Sequence, residues 1–135
     1  MYKNILVPIA LDHERDTNAA LDVARALCAD GGKITALNVI DQLPSYATEY
    51  LPADHAQNQE DGIANAVAEV VGSAADVSVA VVHGHSGRTI VEYAEDNNAD
   101  LIVIASHRPG LQDYFLGSTA ARVVRHAPCA VHVVR

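Results

Sequence analysis

Hydrophobic residues along this chain fall into short apolar runs that are separated by longer segments of mixed character. Five of the runs, each bounded by polar or turn-forming residues, have the length and composition of buried strands. They cover residues 4–9, 34–40, 77–82, 101–105 and 130–134. Because the runs are too apolar to keep one face in water, they indicate strands that are covered on both faces.

Four segments between these runs space their apolar residues three or four positions apart, as amphipathic helices do. The first spans residues 16–29, and the Asp30-Gly31-Gly32 sequence after it predicts the end of a helix. A capping Ser86 is predicted at the start of the third helix, and Pro128 ends the fourth. The second helix is marked by Ile63, Val67, Val70 and Val71.

The strict alternation of strands and helices predicts an α/β fold, with a five-stranded parallel sheet and helices on both faces, as in Rossmann-like proteins. A length of 135 residues suits one domain spanning residues 1–135. Ligands of such sheets bind beyond the carboxyl ends of the strands. Candidate sites therefore lie in the loops after strands one to four. Residues 41–56, with Pro44 and Pro52, predict a loop longer than most connections, which is typical of a functional loop.

Composition limits the binding partners and the cellular compartment that can be expected for this chain. The 17 acidic residues outnumber the nine lysines and arginines, which disfavours nucleic acid and anionic membranes as partners, since both require a basic face. No apolar run reaches the roughly 20 residues that span a bilayer, and the N-terminal residues do not resemble a signal peptide. We therefore expect a cytoplasmic protein in which Cys28 and Cys129 are buried, reduced thiols.

The strongest candidate site lies in the C-terminal part of the chain, where residues 108–135 contain four arginines and one acid. A polar loop there leads to Gly117-Ser118-Thr119 at the predicted start of the last helix. The first amides of a helix lack intrahelical partners and favour an anion. Gly117 would let a phosphate approach, and the two hydroxyls could donate to phosphate oxygens. The same residues also suit a simple turn and a helix cap.

Motifs along nearly the whole chain resemble the universal stress protein family. They read NILVPI, LNVID, ADLIVIASHRP and LGSTAARVVRHAPCAVHVVR. The resemblance implies the strand order 3-2-1-4-5 and a homodimer formed through the C-terminal strand. It implies ATP as the ligand, with ADP or AMP as alternatives and Mg²⁺ accompanying the nucleotide. It further implies a role in stress response or regulation.

The resemblance also assigns the nucleotide-binding residues. Residues 117–119 are implied to hold the phosphates, and the backbone of residues 105–107 to lie along the ribose and phosphates. Val39 is implied to contact adenine through its backbone, while Pro8 and Ile9 wall the base. The complete candidate set is Pro8, Ile9, Ala10, Asp12, Val39, Ala105, Ser106, His107, Arg108, Gly117, Ser118 and Thr119.

The chain departs from the family pattern at two places. Ala105 and Arg108 stand where ATP-binding members carry the first two glycines of the loop, as in a branch with an ASHRP…LGS loop that is also associated with ATP. Ala10 stands where members usually carry an aspartate after the first strand, and Asp12 is the nearest acid.

Catalytic motifs are absent, and no lysine lies near the loop to stabilise a transferred phosphate. His83 and His85 lack a third ligand at metal-site spacing, so we expect no metal there. The sequence therefore predicts a nucleotide-binding module rather than a dedicated enzyme, with slow ATP hydrolysis left open. The alternative is a dimeric protein-interaction module of the same fold that binds no nucleotide.

Overall fold

The computed structural model describes residues 1–11, 14–41, 54–72, 76–106 and 116–135, and for residues 14–16 and 56 it describes the backbone alone. Within these ranges the chain forms five strands and four helices, which confirms the predicted alternation. In chain order they are β1 (Tyr2–Pro8), α1 (Glu14–Leu27), β2 (Cys28–Ile40), α2 (His55–Val71), β3 (Val77–His83), α3 (Ser86–Asp96), β4 (Leu101–Ala105), α4 (Ser118–His126) and β5 (Ala130–Val134).

The five strands form one parallel sheet in the order β3-β2-β1-β4-β5, as the family resemblance implied. From β1 the chain moves outward to β2 and β3, and then returns to place β4 on the other side of β1. The order therefore reverses at β1. In open α/β sheets, the carboxyl ends of the strands at such a reversal border a crevice that binds ligands.

Both faces of the sheet are buried, as the apolar strands predicted. Side chains alternate along β1, so Ile5 and Val7 pack on one face and Leu6 on the other. The first face packs against α1 and α2 through Leu21, Ala24 and Val67. The second packs against α3 and α4 through Ile90, Ala94, Ala120 and Val123. These helical residues stand three or four positions apart, which is the spacing that predicted the helices.

The turn from α1 into β2 differs from the prediction. The helix ends at Leu27, and β2 begins at once with Cys28 rather than at Ile34. Tyr2 of β1 pairs with Cys28 of β2, and Asn4 of β1 pairs with Lys33 of β2. Between these two pairs, β2 therefore contains more residues than β1. Asp30-Gly31-Gly32 thus belongs to an irregularity of the strand, where Gly31 has φ 77°. The two glycines permit this bulge and do not end the helix.

The sequence predicted a loop over residues 41–56, but α2 already begins at His55, so the last two residues of this segment are helical. Residues 42–53 lie outside the described residues. No helix in the described ranges has the length and apolar character needed to cross a membrane.

The two cysteines are half-buried rather than fully buried, and neither forms a disulfide in the described structure. They stand at the starts of β2 and β5, which β1 and β4 separate. With neighbouring strands about 4.8 Å apart, these two strands lie roughly 14 Å from each other. Disulfides require Cα atoms within about 7 Å, so this fold keeps the two thiols from pairing.

Candidate functional site

A cavity of about 400 Å³ opens at the carboxyl ends of β1, β2 and β4, where the strand order reverses. Six of the candidate residues from the sequence line it, which are Pro8, Ile9, Ala10, Val39, Ala105 and Thr119. The other lining residues are Leu11, Leu37, Asn38, Ser86, Ile90 and Ile104. The lining is mostly apolar, with a few polar groups, which is the usual make-up of a small-molecule site.

Ile9 and Ala10, which directly follow β1, form one wall of this cavity, called here the β1 wall. Three hydrogen bonds hold this wall in place. Ile9 N donates to Leu37 O at 2.8 Å, and Asn38 Nδ2 donates to Ile9 O at 2.9 Å. Thr17 Oγ1, from α1, donates to Ala10 O at 3.4 Å. Asn38 is only 9 % exposed, so its amide bond fixes the wall from inside the protein. Sequence reasoning overlooked Asn38, although it stands in the LNVID motif beside Val39.

A second cavity of about 250 Å³ adjoins the first. It is lined by His85, Ser86, Gly87, Ser118, Thr119 and Arg122, from the first turns of α3 and α4. Ser86 and Thr119 line both cavities, and their hydroxyl oxygens lie 3.1 Å apart in a hydrogen bond. The cavities therefore meet at this pair of hydroxyls. No carboxylate is among the described lining residues of either cavity, although the chain carries a net charge of −8.

The start of α4 borders the second cavity through Ser118 and Thr119. Gly117 is the N-cap residue, with φ −56° and ψ 151°, and the first intrahelical bond runs from Ala121 N to Gly117 O at 2.8 Å. The amides of the first turn therefore have no partner within the helix. Ser118 is the first helical residue and is exposed, so it does not cap the helix. The simple-cap alternative from the sequence is thus wrong for Ser118.

Ser106, which follows β4, makes two hydrogen bonds within the protein. It is 8 % exposed, and its Oγ accepts a hydrogen bond from Gly117 N at 3.0 Å. Its own amide donates to Val134 O at 2.8 Å. Because both of these amides bind within the protein, neither is available to a ligand. Ser106 instead holds the start of α4 against the end of β4.

The start of α3 also corrects the sequence prediction. The helix begins at Ser86, and its N-cap residue is His85, which makes no side-chain capping bond. Ser86 is therefore not the predicted cap, and its hydroxyl pairs with Thr119 instead. Gly84 precedes the helix with φ 150°, and a Cβ there would collide with the Thr89 hydroxyl. Glycine thus permits the sharp passage from β3 into α3.

The remaining candidates divide into two groups. Asp12, His107 and Arg108 lie outside the described residues. His83 Nδ1 lies 2.8 Å from Glu60 Oε1, and the described residues contain no group of side chains suited to a metal ion. Gly87 belongs to the candidate loop after strand three, but neither Gly87 nor Arg122 was among the candidate nucleotide-binding residues. The excess of arginine after residue 108 was the signal that pointed toward Arg122.

The chain is similar to known proteins in both sequence and fold. A sequence model of the Universal stress protein family matches residues 1–135. Universal stress protein G of Escherichia coli O157:H7 is 30% identical over 142 residues, covering 100% of both chains.

Two solved structures are also similar to this chain. Universal stress protein UspA from Lactobacillus plantarum has a TM-score of 0.68 at 29% identity, covering 99% of this chain and 98% of that one. A universal stress protein in complex with cAMP has a TM-score of 0.70 at 22% identity, covering 99% of this chain and 97% of that one. The fold, the family match and the full-length relatives lead to one conclusion: this chain belongs to the universal stress protein family.

Proposed function

We propose that the chain binds an adenine nucleotide, ATP or a close relative, across the two adjoining cavities. The observation that carries this proposal is the cavity at the reversal of strand order, lined by candidate residues from three strands and α4. Its volume of about 400 Å³ falls within the roughly 300–1,000 Å³ of small-molecule sites. The complex of a family member with cAMP supports the choice of an adenine nucleotide.

The base and ribose suit the larger cavity. Pro8, Ile9 and Val39 offer apolar surface and backbone groups to a flat heterocycle. Asn38 and Thr17 hold the β1 wall in place, so this half of the site is formed before the ligand arrives. Ala10 is exposed at the same wall, where the family pattern has an aspartate. A contact made by that carboxylate in relatives is therefore replaced or absent in this chain.

The phosphates suit the second cavity. The first turn of α4 presents amides without intrahelical partners, together with the hydroxyls of Ser118 and Thr119. The helix dipole favours negative charge at this end, and the first turn contains no acid. A Mg²⁺ ion bound with the nucleotide would be held mainly by phosphate oxygens and water, since the described lining offers no carboxylate.

The biological role proposed is regulation or stress response in the cytoplasm, by a nucleotide-binding homodimer that is not a dedicated enzyme. The main alternative is a dimeric protein-interaction module that binds no nucleotide. Ala10 supports that alternative, because it lacks the carboxylate of the family pattern.

Calorimetric titration of ATP, ADP and adenosine into wild type and Gly117→Val tests the proposal. The φ of −56° suits valine, so the fold should survive, while the added side chain should block phosphate approach to α4 and abolish ATP binding. Gly62→Val is the matched control, because Gly62 lies at an exposed position of α2 and a Cβ there meets nothing within 4 Å. Circular dichroism verifies folding.

Equal ATP binding by wild type and Gly117→Val would place the phosphates elsewhere. If wild type, freed of carried-over nucleotide, binds none of the three ligands, the interaction-module alternative replaces the proposal.

A further inference from the structure

Arg122 crosses the start of α3 through a gap that Gly87 leaves. A Cβ at residue 87 would stand 2.7 Å from Cδ of Arg122 and 3.1 Å from its Cβ. The first distance is shorter than real Cβ contacts and the second is tighter than most of them, so a larger residue at position 87 would require the arginine side chain to shift. Gly87 is buried in the first turn of α3. The absence of its side chain therefore determines where the Arg122 side chain lies.

Arg122 places a cation in the second cavity, where we propose that the phosphates bind. Arg122 stands four residues after Ser118 on α4, so both residues lie on one face of the helix. Both line the second cavity. This cavity meets the larger one, in which we place the base and ribose, at Ser86 and Thr119. The phosphates of a nucleotide whose base lies in the larger cavity would pass the hydroxyls of Ser86 and Thr119 and then approach Arg122.

The surroundings of Arg122 leave its charge available to a ligand. Within the described ranges, no carboxylate lies at ion-pair distance from its guanidinium. Arg25 shows the contrast, since Asp22 lies 3.8 Å away and Asp76 3.6 Å away. The first turns of α3 and α4 likewise contain no acid, although the chain has 17 acidic residues. Both helix starts and Arg122 thus favour an anion at one place.

We propose that Arg122, positioned by the gap at Gly87, contacts the outer phosphates of the nucleotide and makes the site prefer ATP and ADP to AMP. This inference rests on the proposed function and adds the residue that determines phosphate number. Its chemical basis is a charge-assisted contact between guanidinium and phosphate oxygens. Arg122 should not contribute to the affinity for adenosine, because adenosine carries no phosphate.

Titration of adenosine, AMP, ADP and ATP into wild type, Arg122→Gln and Arg125→Gln tests the proposal. Arg122→Gln should weaken ATP and ADP binding about tenfold and leave adenosine binding unchanged. Arg125→Gln removes the same charge from the last turn of the same helix, away from the cavity, and should change ATP affinity far less. The loss in Arg122→Gln should shrink at high salt, because ions screen an exposed charge.

Gly87→Ala tests the positioning without changing any charge. The new methyl group should displace Arg122 and weaken ATP relative to adenosine while the fold survives, since a flexible side chain can move aside. In an Arg122→Ala background, Gly87→Ala should have no further effect on ATP.

The outcomes separate this inference from the proposed function. If wild type binds ATP and Arg122→Gln loses no more affinity than Arg125→Gln, the assignment to Arg122 is wrong while nucleotide binding stands. If Arg122→Gln weakens adenosine as much as ATP, the effect is structural and the assignment is again wrong. If wild type binds none of the four ligands, both proposals fail.

Discussion

Asn38 and Ser106 are buried polar residues whose side chains bind backbone groups at the edge of the proposed site. Asn38 Nδ2 donates to Ile9 O, and Ser106 Oγ accepts from Gly117 N. Buried polar groups are retained when they are hydrogen-bonded, because an unpaired one costs stability. These two residues therefore hold the walls of the larger cavity and the start of α4 in place.

Replacing Asn38 by leucine should lower the free energy of unfolding by about 1–3 kcal/mol, because the buried carbonyl of Ile9 loses its side-chain donor. Asn18→Leu is the matched control on the exposed face of α1 and should change stability by less than about 0.5 kcal/mol. Urea unfolding followed by circular dichroism measures both. Equal effects of the two substitutions would show that the Asn38 bond does not stabilise the wall.

Cys129 should react slowly with alkylating agents. Burial raises the pKa of its thiol, and the nearby Asp100 carboxylate raises it further. Because the thiolate is the reactive form, the alkylation rate of Cys129 should rise only at a pH above the ordinary range for cysteine. Asp100→Asn removes the opposing charge, so it should move this rise to lower pH without abolishing the effect of burial.

Peptide mapping of iodoacetamide-treated protein follows Cys129 separately from Cys28. An unchanged rate profile in Asp100→Asn, or one displaced to higher pH, would contradict the role of Asp100.

At the scale of elements, the site depends on how the starts of two helices are joined to the sheet. α4 begins against the end of β4 through Ser106, and α3 and α4 meet through the hydroxyls of Ser86 and Thr119. The larger cavity lies between these helix starts and the β1 wall. Movement of α4 would therefore alter both cavities together.

Ser106→Ala should loosen the start of α4, because Gly117 N loses its acceptor. We expect a loss of about 1 kcal/mol in unfolding free energy and faster hydrogen exchange at the Gly117 amide. Ser78→Ala, at an exposed position on β3, serves as the control and should leave both quantities nearly unchanged. Exchange at Gly117 that stays as slow in Ser106→Ala as in wild type would exclude this role of the hydroxyl.

The sequence sufficed for the elements, which follow from local patterns, and the family resemblance supplied the candidate residues that line the larger cavity. Apolar runs marked the five strands, and residues at their carboxyl ends had to meet at one edge of a parallel sheet. The roles of Ser106 and Arg122 could not be predicted, because they depend on partners 11 and 35 positions away, Gly117 and Gly87. The glycines of β2 were misinterpreted because their bulge is defined only by pairing with β1.

At the scale of the whole molecule, β5 is an edge strand that pairs with β4 on one side. Among the residues that the structure describes, no further strand pairs with this edge, and a second copy of the chain could do so. Val124, on the helix that precedes β5, is 47 % exposed and adds apolar surface. These features support the proposed homodimer through the C-terminal strand.

Sedimentation equilibrium at micromolar concentration should therefore give about twice the chain mass of 14.3 kDa. A dilution series serves as the control, because a specific dimer dissociates reversibly to the single-chain mass. A 14.3 kDa species alone at every micromolar concentration would exclude the dimer.

The central claim is that an adenine nucleotide occupies the cavity at the carboxyl ends of β1, β2 and β4. Titration of ATP into ¹⁵N-labelled protein, stripped of carried-over nucleotide and observed by NMR, tests this claim residue by residue. We predict saturable shifts concentrated at the amides of Ile9, Val39, Ala105, Ser118 and Thr119, with little change at exposed Asn18 and Ser78. Adenosine should move the amides of Ile9, Val39 and Ala105 and leave the amide of Ser118 nearly unchanged. The absence of saturable shifts, or shifts confined to residues away from the two cavities, would contradict the account.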